Sequence, residues 1–422
     1  MSVVVGYTNF THEQSEVLKE RLAFAKRVLK EALNIESLEP IARGFNNKVY
    51  LLKLIPSSRA ADATSHALQP GCLPFPAETP GAVIFRVVRN KSQTPAARKV
   101  LNSVAAMQLV RDGTDIPIAP VYAYDVSTED AWMVEGKLPG VAMDEAWQTA
   151  DIDTHLRMLE SVADVLAKLK ALSCPGGPGA RFGGLGYDTE GKIILGPTCL
   201  AYDEGPFATA KDYYKAWISG QWEDAKKNVR ADGWKVDGLP ERIEKFVREG
   251  LDSALNCLEG CDVPTFIHAD FNVLNILVSD TVPHVITGLL DFEWSHFGPA
   301  SDEYFLSVPG PGVIYGGPYD RPDSPQGQAT LNLLSGTIPA ELDPSIGEAF
   351  LTYKMDGFLK ARNVGTFSTI PNFEEIARLY WFGEYLRPWF FHENMKLPEE
   401  KVQKTRAKSA VCFDKDLRLW GY

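Results

Sequence analysis

No run of about 20 apolar residues occurs in the chain, so no membrane-spanning helix is expected. A basic excess is missing too. The formal net charge is -12 over 422 residues. That argues against nucleic acid or an anionic membrane surface as main partner, because both reward a positive face. Cysteine is sparse and scattered, at Cys72, Cys174, Cys199, Cys257, Cys261 and Cys412. Only Cys257 and Cys261 lie close, and neither has a His or further Cys at a zinc-site spacing. Reduced thiols in a cytoplasmic protein are therefore expected. The first residues, MSVVVGYTNF, lack a basic start and a long apolar run, so no secretory signal is expected either. What remains is an ordinary globular balance, 45% hydrophobic and 23% charged, in a length that suits one large or two medium domains. An acidic surface suits a cationic small-molecule partner and serves solubility equally well. Oligomeric state is not legible.

The stretch around which the chain is organised runs from Phe266 to Trp294. The polar cluster His268, Asp270, Asn272 and Asn275 leads into two short apolar runs, Ile276 to Val278 and Val285 to Leu290. Ser279 to His284, with Asp280 and Pro283, separates them, which predicts a β-hairpin. An antiparallel hairpin brings its outer ends together. Asn275 and Asp291 are thus expected side by side, a few residues from Asp270. An amide oxygen and a carboxylate suit a hard divalent cation that keeps waters and meets a phosphate. Asp270 is left to accept a proton from a hydroxyl. The set His-x-Asp-x-x-x-x-Asn, hairpin, Asp-Phe-Glu is an inventory for phosphoryl transfer.

These residues resemble the catalytic core of the aminoglycoside phosphotransferase and choline kinase-like family, in a form common among fungal proteins. The likeness is dense from Thr265 to Asp302, with traces from about Ile41 to Trp389. It implies an α+β, bilobal protein-kinase-like fold, with a small N-terminal antiparallel-sheet lobe and a larger, mainly helical C-terminal lobe. The expected division is 1–136, for nucleotide, and 137–422, for catalysis and acceptor. ATP and Mg2+ are the implied cofactors. Asp270 is the implied base, His268 a group that fixes its loop, and Asn275 and Asp291 the metal ligands.

Taken in order, His12 to Leu33 has helical spacing, and Ile41 to Leu54 reads as two strands joined by a tight turn. Gly44, Asn46 and Asn47 in that turn suit a nucleotide-covering loop, so Gly44 and Asn47 are candidate cofactor contacts. Ile55 to Pro80 reads as a flexible insertion. Ala82 to Val88 is the third strand, and its Arg86 needs an anionic partner. The resemblance implies that Arg86 grips the nucleotide phosphates. It also implies a Glu on the helix Pro95 to Arg111 that pairs with this cation. Ser103 stands there, and no acid occurs between Asn90 and Val110. Either another carboxylate, such as Asp291, takes that part, or the nucleotide end of the site differs.

Ile116 to Tyr124 and Ala131 to Glu135 are expected to complete the sheet. Backbone groups from Val134 to Lys137, with Glu135 and Lys137 as contacts, would then face an adenine edge. Beyond Gly136, Pro139 and Gly140 the expected helices are Asp153 to Leu172, Thr209 to Asn228, Leu239 to Leu258, Ser345 to Ala361, Phe373 to Phe391 and one after Glu399. The Gly/Pro-rich run Ser173 to Gly186 reads as a plain loop. Asp302 is expected to cap a helix or hold the catalytic loop. Ser307 to Gln326 suits either a lid or a surface loop. Glu293, Trp294 and Glu384, with His392 and Glu393, are candidate acceptor contacts. The leading expectation is ATP-dependent phosphorylation of a hydroxyl on a small molecule. Two readings stay open beside it: another group transfer on this fold, in secondary metabolism, and a non-catalytic nucleotide or small-molecule binding protein.

Overall fold

The computed structural model describes residues 15–422 apart from 30–33, 42–46, 56–67, 77, 79, 89–93, 128–130, 177, 178, 180, 201–203, 228–234, 308–322 and 388–397. The N-terminal part is a five-stranded antiparallel sheet in the order β1-β2-β3-β5-β4. Its strands are β1 (Ile35–Pro40), β2 (Asn47–Leu54), β3 (Ala82–Val88), β4 (Val121–Asp125) and β5 (Trp132–Gly136). The period of two decides its faces. Val83, Phe85 and Val87 of β3 share one core with Tyr50 and Leu52 of β2 and Trp132 and Val134 of β5. Helix α1 (Ser15–Val28) covers that core with Ala25, followed by Leu29 just past its end. Full burial of Phe85 contributes about 2 to 3 kcal/mol. The alternate residues Asn47, Val49, Arg86, Met133 and Glu135 face the other way, towards the rest of the chain.

Helix α2 (Ala96–Gly113) lies on that second side. It is buried almost all round, through Val100, Val104, Ala105, Ala106 and Met107, and carries Lys99, Asn102 and Ser103 inward with them. It packs along β7 (Gly184–Tyr187), which pairs with β8 (Ile193–Gly196) inside the stretch expected to be a plain loop and just beyond it.

After β5 the chain is mainly helical. The strand β6 (Val141–Ala142), with α3 (Met143–Trp147) behind it, pairs with β10 (Ile276–Val278), and β10 with β11 (Ile286–Leu289), in a three-stranded sheet. The strands β9 (Thr265–Ile267) and β12 (His296–Gly298) form a second small pair. Around them stand α4 (Ile152–Lys170), α5 (Ala210–Lys227), α9 (Pro325–Ser335), α10 (Glu348–Ala361), α11 (Phe373–Leu386) and α12 (Glu399–Leu419). The expected helix from Leu239 to Leu258 is α6 (Leu239–Lys245) and α7 (Leu251–Ala254), joined by a π turn and closed by a 3-10 turn. An ideal Cβ on Gly250, in the π turn, would sit 2.5 Å from the Tyr422 ring, so a glycine lets that ring in. Among the described residues, no helix is long and apolar enough to cross a membrane.

Some boundaries differ from expectation for clear reasons. The first strand begins at Ile35, before Ile41, because IESLEP is a sheet-edge strand whose acids and Pro40 hide its period. The turn that follows lies outside the described residues. The expected strand Ile116 to Tyr124 is a strand only from Val121, since Pro117 and Pro120 have no N–H to give a ladder. Their carbonyls instead accept from Leu289 and Gly136. Helix α9 was not expected from the sequence.

Candidate active site

The hairpin forms as expected, with Ile276 opposite Leu289. Leu290 N–H donates to Asn275 O at 2.9 Å, so Asn275 and Leu290 close its open end and Asp291 leaves next to them. Two residues without a glycine's freedom take positive φ here, Ala269 at 66° and Asp291 at 66°. Such backbone is held only where surrounding contacts over-determine it. At Asp270 those contacts are plain. Its carboxylate accepts from Asn272 Nδ2 at 2.9 Å and from Asn275 Nδ2 at 2.8 Å. Both amides also donate to Asp270 O, at 3.0 and 2.9 Å. With Nδ2 so engaged, Asn275 Oδ1 points the other way from the Asp270 oxygens and accepts no hydrogen bond among the described residues.

Burial pushes the Asp270 carboxyl well above the usual range, and the nearby Asp291 and Glu293 charges add to the push. Glu293 is raised as well, chiefly by burial, with Lys99 acting against it.

His268 is fully buried and uses both ring nitrogens locally. Nε2 donates to Leu290 O at 3.0 Å, and Nδ1 accepts from Asp270 N–H at 3.3 Å. Burial lowers its pKa, so the neutral ring fits this pattern. The side chain joins the Asp270 loop to the far end of the hairpin and has no nitrogen left to move a proton.

The residue that holds the loop from behind is Glu303, one after Asp302. Helix α8 (Asp302–Leu306) places it there. Its carboxylate accepts from the N–H groups of His268 and Ala269 at 3.0 and 3.2 Å, from Lys170 Nζ at 2.6 Å and from Ser307 Oγ at 2.8 Å. Ser307 Oγ in turn accepts from Phe271 N–H at 3.1 Å. Burial alone would raise Glu303, but Lys170 and His268 outweigh it and hold the carboxyl down to about 2. Asp302 has a different part: it accepts from Tyr214 Oη at 2.6 Å and sits 3.6 Å from His296.

Across the site, Arg86 pairs with Asp291 Oδ1 at 2.6 Å and with Glu135 Oε1 at 3.2 Å. Arg86 lies opposite Met133, and Glu135 is two residues further along β5, on the same face and within diagonal reach. Ser103 is buried on α2 and joins neither pair. Of the two alternatives for the missing Glu, another carboxylate takes its place. It is Asp291, joined by Glu135, whose backbone alone was expected to matter. Burial works against the charge of Arg86, but Glu135, Asp291 and Glu293 more than offset it and raise its pKa. Asn47, which opens β2, donates to Glu293 Oε2 at 3.1 Å.

These contacts bring Asp270, His268, Asn275, Asp291, Arg86, Glu135, Asn47 and Glu293 together. Lys137 stands apart, exposed beyond β5, and Gly136 N–H is already given to Pro120 O at 2.8 Å. Gly44, His392 and Glu393 lie outside the described residues. Glu293 turns towards Asn47 and away from the acceptor wall expected for it. Trp294 and Glu384 both line a cavity of about 120 Å³, together with Tyr213, Trp217 and Tyr380. Trp217 and Tyr380 stack at 5.0 Å there.

The donors fit phosphate and a hard cation. Arg86 Nε and Asn47 Oδ1 are buried and have no hydrogen-bond partner among the described residues, an open donor and an open acceptor at the sheet side. Asp291 spends Oδ1 on Arg86, so its Oδ2 and Asn275 Oδ1 are the two oxygens left for a metal. Among the described residues, no group of three or more His, Cys, Asp and Glu side chains could hold a metal without such help.

Reading the sequence missed Glu303, Lys170, Ser307, Lys99 and Asn102. The last two did leave a signal, a lysine and an asparagine within the apolar run of α2.

No curated protein matches the chain in sequence. Among solved structures, a gentamicin complex of APH(2'')-IIa is similar to it with a TM-score of 0.50 and 12% identity, over 93% of this chain and 95% of that one. An ethanolamine kinase of Plasmodium vivax is similar with a TM-score of 0.47 and 12% identity, over 96% of this chain and 92% of that one. At such identity the first likeness speaks for a shared protein-kinase-like fold. The model of the "Phosphotransferase enzyme family" matches residues 37–306, from the edge strand of the sheet to the end of α8. That match takes in Asp270, His268, Asn275, Asp291, Arg86, Glu135, Asn47, Glu293 and Glu303, and it covers well over half of the sequence: the chain belongs to the phosphotransferase enzyme family.

Proposed function

We propose that the protein transfers the γ-phosphoryl group of ATP, with Mg2+, to a hydroxyl of a small molecule. One observation carries the reading. The Asp270 carboxylate is fixed by two amides, while the oxygens left free on Asn275 and Asp291 stand at the same hairpin end.

Each residue has a part. Asp270 orients the acceptor hydroxyl and takes its proton as the new O–P bond forms. The bond from the γ-phosphorus to the bridging oxygen breaks, and ADP leaves with that oxygen. Asn275 Oδ1 and Asp291 Oδ2 would hold magnesium, whose charge neutralises the phosphate oxygens when bound. Arg86, kept cationic by its carboxylate neighbours, faces the same charge from the sheet. Positioning and charge neutralisation supply most of the rate in such chemistry. His268 and Glu303 keep the loop in place. The cavity at Trp294, with its aromatic walls and Glu384, suits an acceptor with an apolar or cationic part.

Another group transfer on this fold was motivated by Ser103. Arg86 has two carboxylate partners without it, which supports phosphoryl transfer. The direct test is ADP release from Mg·ATP across a library of hydroxyl-bearing metabolites. Acceptor-dependent ADP with a phosphorylated product supports the proposal. A melting temperature unmoved by Mg·ATP contradicts it.

A further inference from the structure

Helix α2 reaches the metal side of the site by a route that does not involve the strand cation. Asn102 is fully buried. Its Nδ2 donates towards three carbonyls directly after Asp291, those of Phe292 at 3.4 Å, Glu293 at 3.2 Å and Ser295 at 2.8 Å. One amide nitrogen has two protons, so the two longer contacts share one of them. Its Oδ1 accepts from Leu185 N–H on β7 at 2.7 Å, so the whole amide is engaged. A buried polar group satisfied in this way is rigid. Lys99, three residues earlier on the same face, holds Nζ 4.3 Å from the centre of the Trp294 ring. Its charge also bears on Glu293. The turn from Phe292 to Ser295 is therefore gripped by its backbone and by two of its side chains.

That turn fixes Asp291. Ser295 N–H closes it onto Phe292 O at 3.2 Å, and Asp291 enters it with a φ of 66°. Where the free Oδ2 points depends on the residues that follow. From α2, Asn102 bonds their carbonyls and Lys99 lies over the Trp294 ring.

We propose that Asn102 is a positioning residue for metal binding, one that sets the aim of Asp291 through the carbonyls of residues 292, 293 and 295. Lys99 supports it through Glu293 and Trp294. This rests on the phosphotransfer reading above. The clamp gives α2 a hold on the site without an acidic residue. It also ties the metal turn to Trp294, a wall of the acceptor cavity.

The test uses the full chain, Mn2+ as probe and a non-hydrolysable ATP analogue, with free Mn2+ read by electron paramagnetic resonance. Asn102→Asp keeps the shape and the acceptor for Leu185 N–H but sets oxygens against three carbonyls. Asn102→Ser removes the reach without adding charge, and serves if the first variant does not fold. Val104→Ala removes core packing from the same helix and controls for stability alone. Expected is a loss of about tenfold or more in Mn2+ affinity of the analogue complex for the Asn102 variants, the size usual for groups behind metal ligands. Metal-free analogue affinity should change by less than about twofold. Val104→Ala should lower the melting temperature and leave Mn2+ affinity as it was. A folded Asn102 variant with wild-type Mn2+ affinity, or a loss matched by Val104→Ala, overturns the proposal. Wild-type protein that takes up no Mn2+ with the analogue overturns the phosphotransfer reading itself.

Discussion

Arg86 Nη1 and Asp291 Oδ1 lie 2.6 Å apart, and this contact joins the N-terminal sheet to the open end of the hairpin without a helix between them. The same guanidinium reaches Glu135 at 3.2 Å, so one cation serves two carboxylates. Its charge offsets that of the carboxylates around it, Glu135, Asp291 and Glu293.

Arg86→Met should therefore strand Glu135, a residue only 4% exposed. Removing one partner of a buried pair costs about 3 to 5 kcal/mol. Arg86→Met with Glu135→Gln should recover much of that stability, while the KM for ATP stays raised. Urea denaturation of the single and double variants gives the first, and initial rates give the second.

Glu303→Gln should leave the fold in place and lower kcat by about a hundredfold, because an amide keeps one oxygen: it can serve either His268 N–H and Lys170 or Ala269 N–H and Ser307 Oγ, and its NH2 then faces the other two donors. The KM for ATP should barely move. Equal falls in kcat and in folded fraction would mean that Glu303 is only structural.

Acid stability should show the same carboxyl. Glu303, held down to about 2 when folded, contributes stability that is full above its unfolded value near 4.5. That contribution drains away as pH falls towards 2. His268, lowered chiefly by burial, acts at higher pH: the unfolded chain gains its proton first, so stability begins to fall below about 6.5. Asp270 and Glu293, raised when folded, act in the opposite sense, so the part of Glu303 is read as a difference: between about pH 5 and 3 the unfolding free energy of Glu303→Gln should fall less than that of the wild type.

Glu384→Gln should separate the acceptor classes. For a cationic acceptor its KM should rise about tenfold with kcat little changed, the size of one partly desolvated charge contact. For an uncharged acceptor neither constant should move. Rates on the best acceptor from the library screen decide it.

Much of the site was legible because it is local. Asp270, Asn275 and Asp291 belong to one hairpin, and strand period with a polar turn is enough to bring them together. Arg86 announced itself as a cation in an apolar strand. Its partner Glu135 did not, since the pairing depends on strand order: β3 lies beside β5, and the register sets Glu135 on the diagonal. Glu303 was hidden for a similar reason. Its neighbour Asp302 drew attention, and only the direction of a short helix decides which acid faces the loop. The sheet edge at β1 and the strand β7 carry too little hydrophobic alternation to be read, and both are settled by what they pack against.

The central claim is that Asp270 is the base of a metal-assisted phosphoryl transfer. Asp270→Ala tests it most directly, through acceptor-dependent ADP release together with the melting shift caused by Mg·ATP. The account predicts a loss of about a hundredfold to ten-thousandfold in turnover with the nucleotide shift kept. Wild-type turnover in a folded Asp270→Ala variant would contradict it.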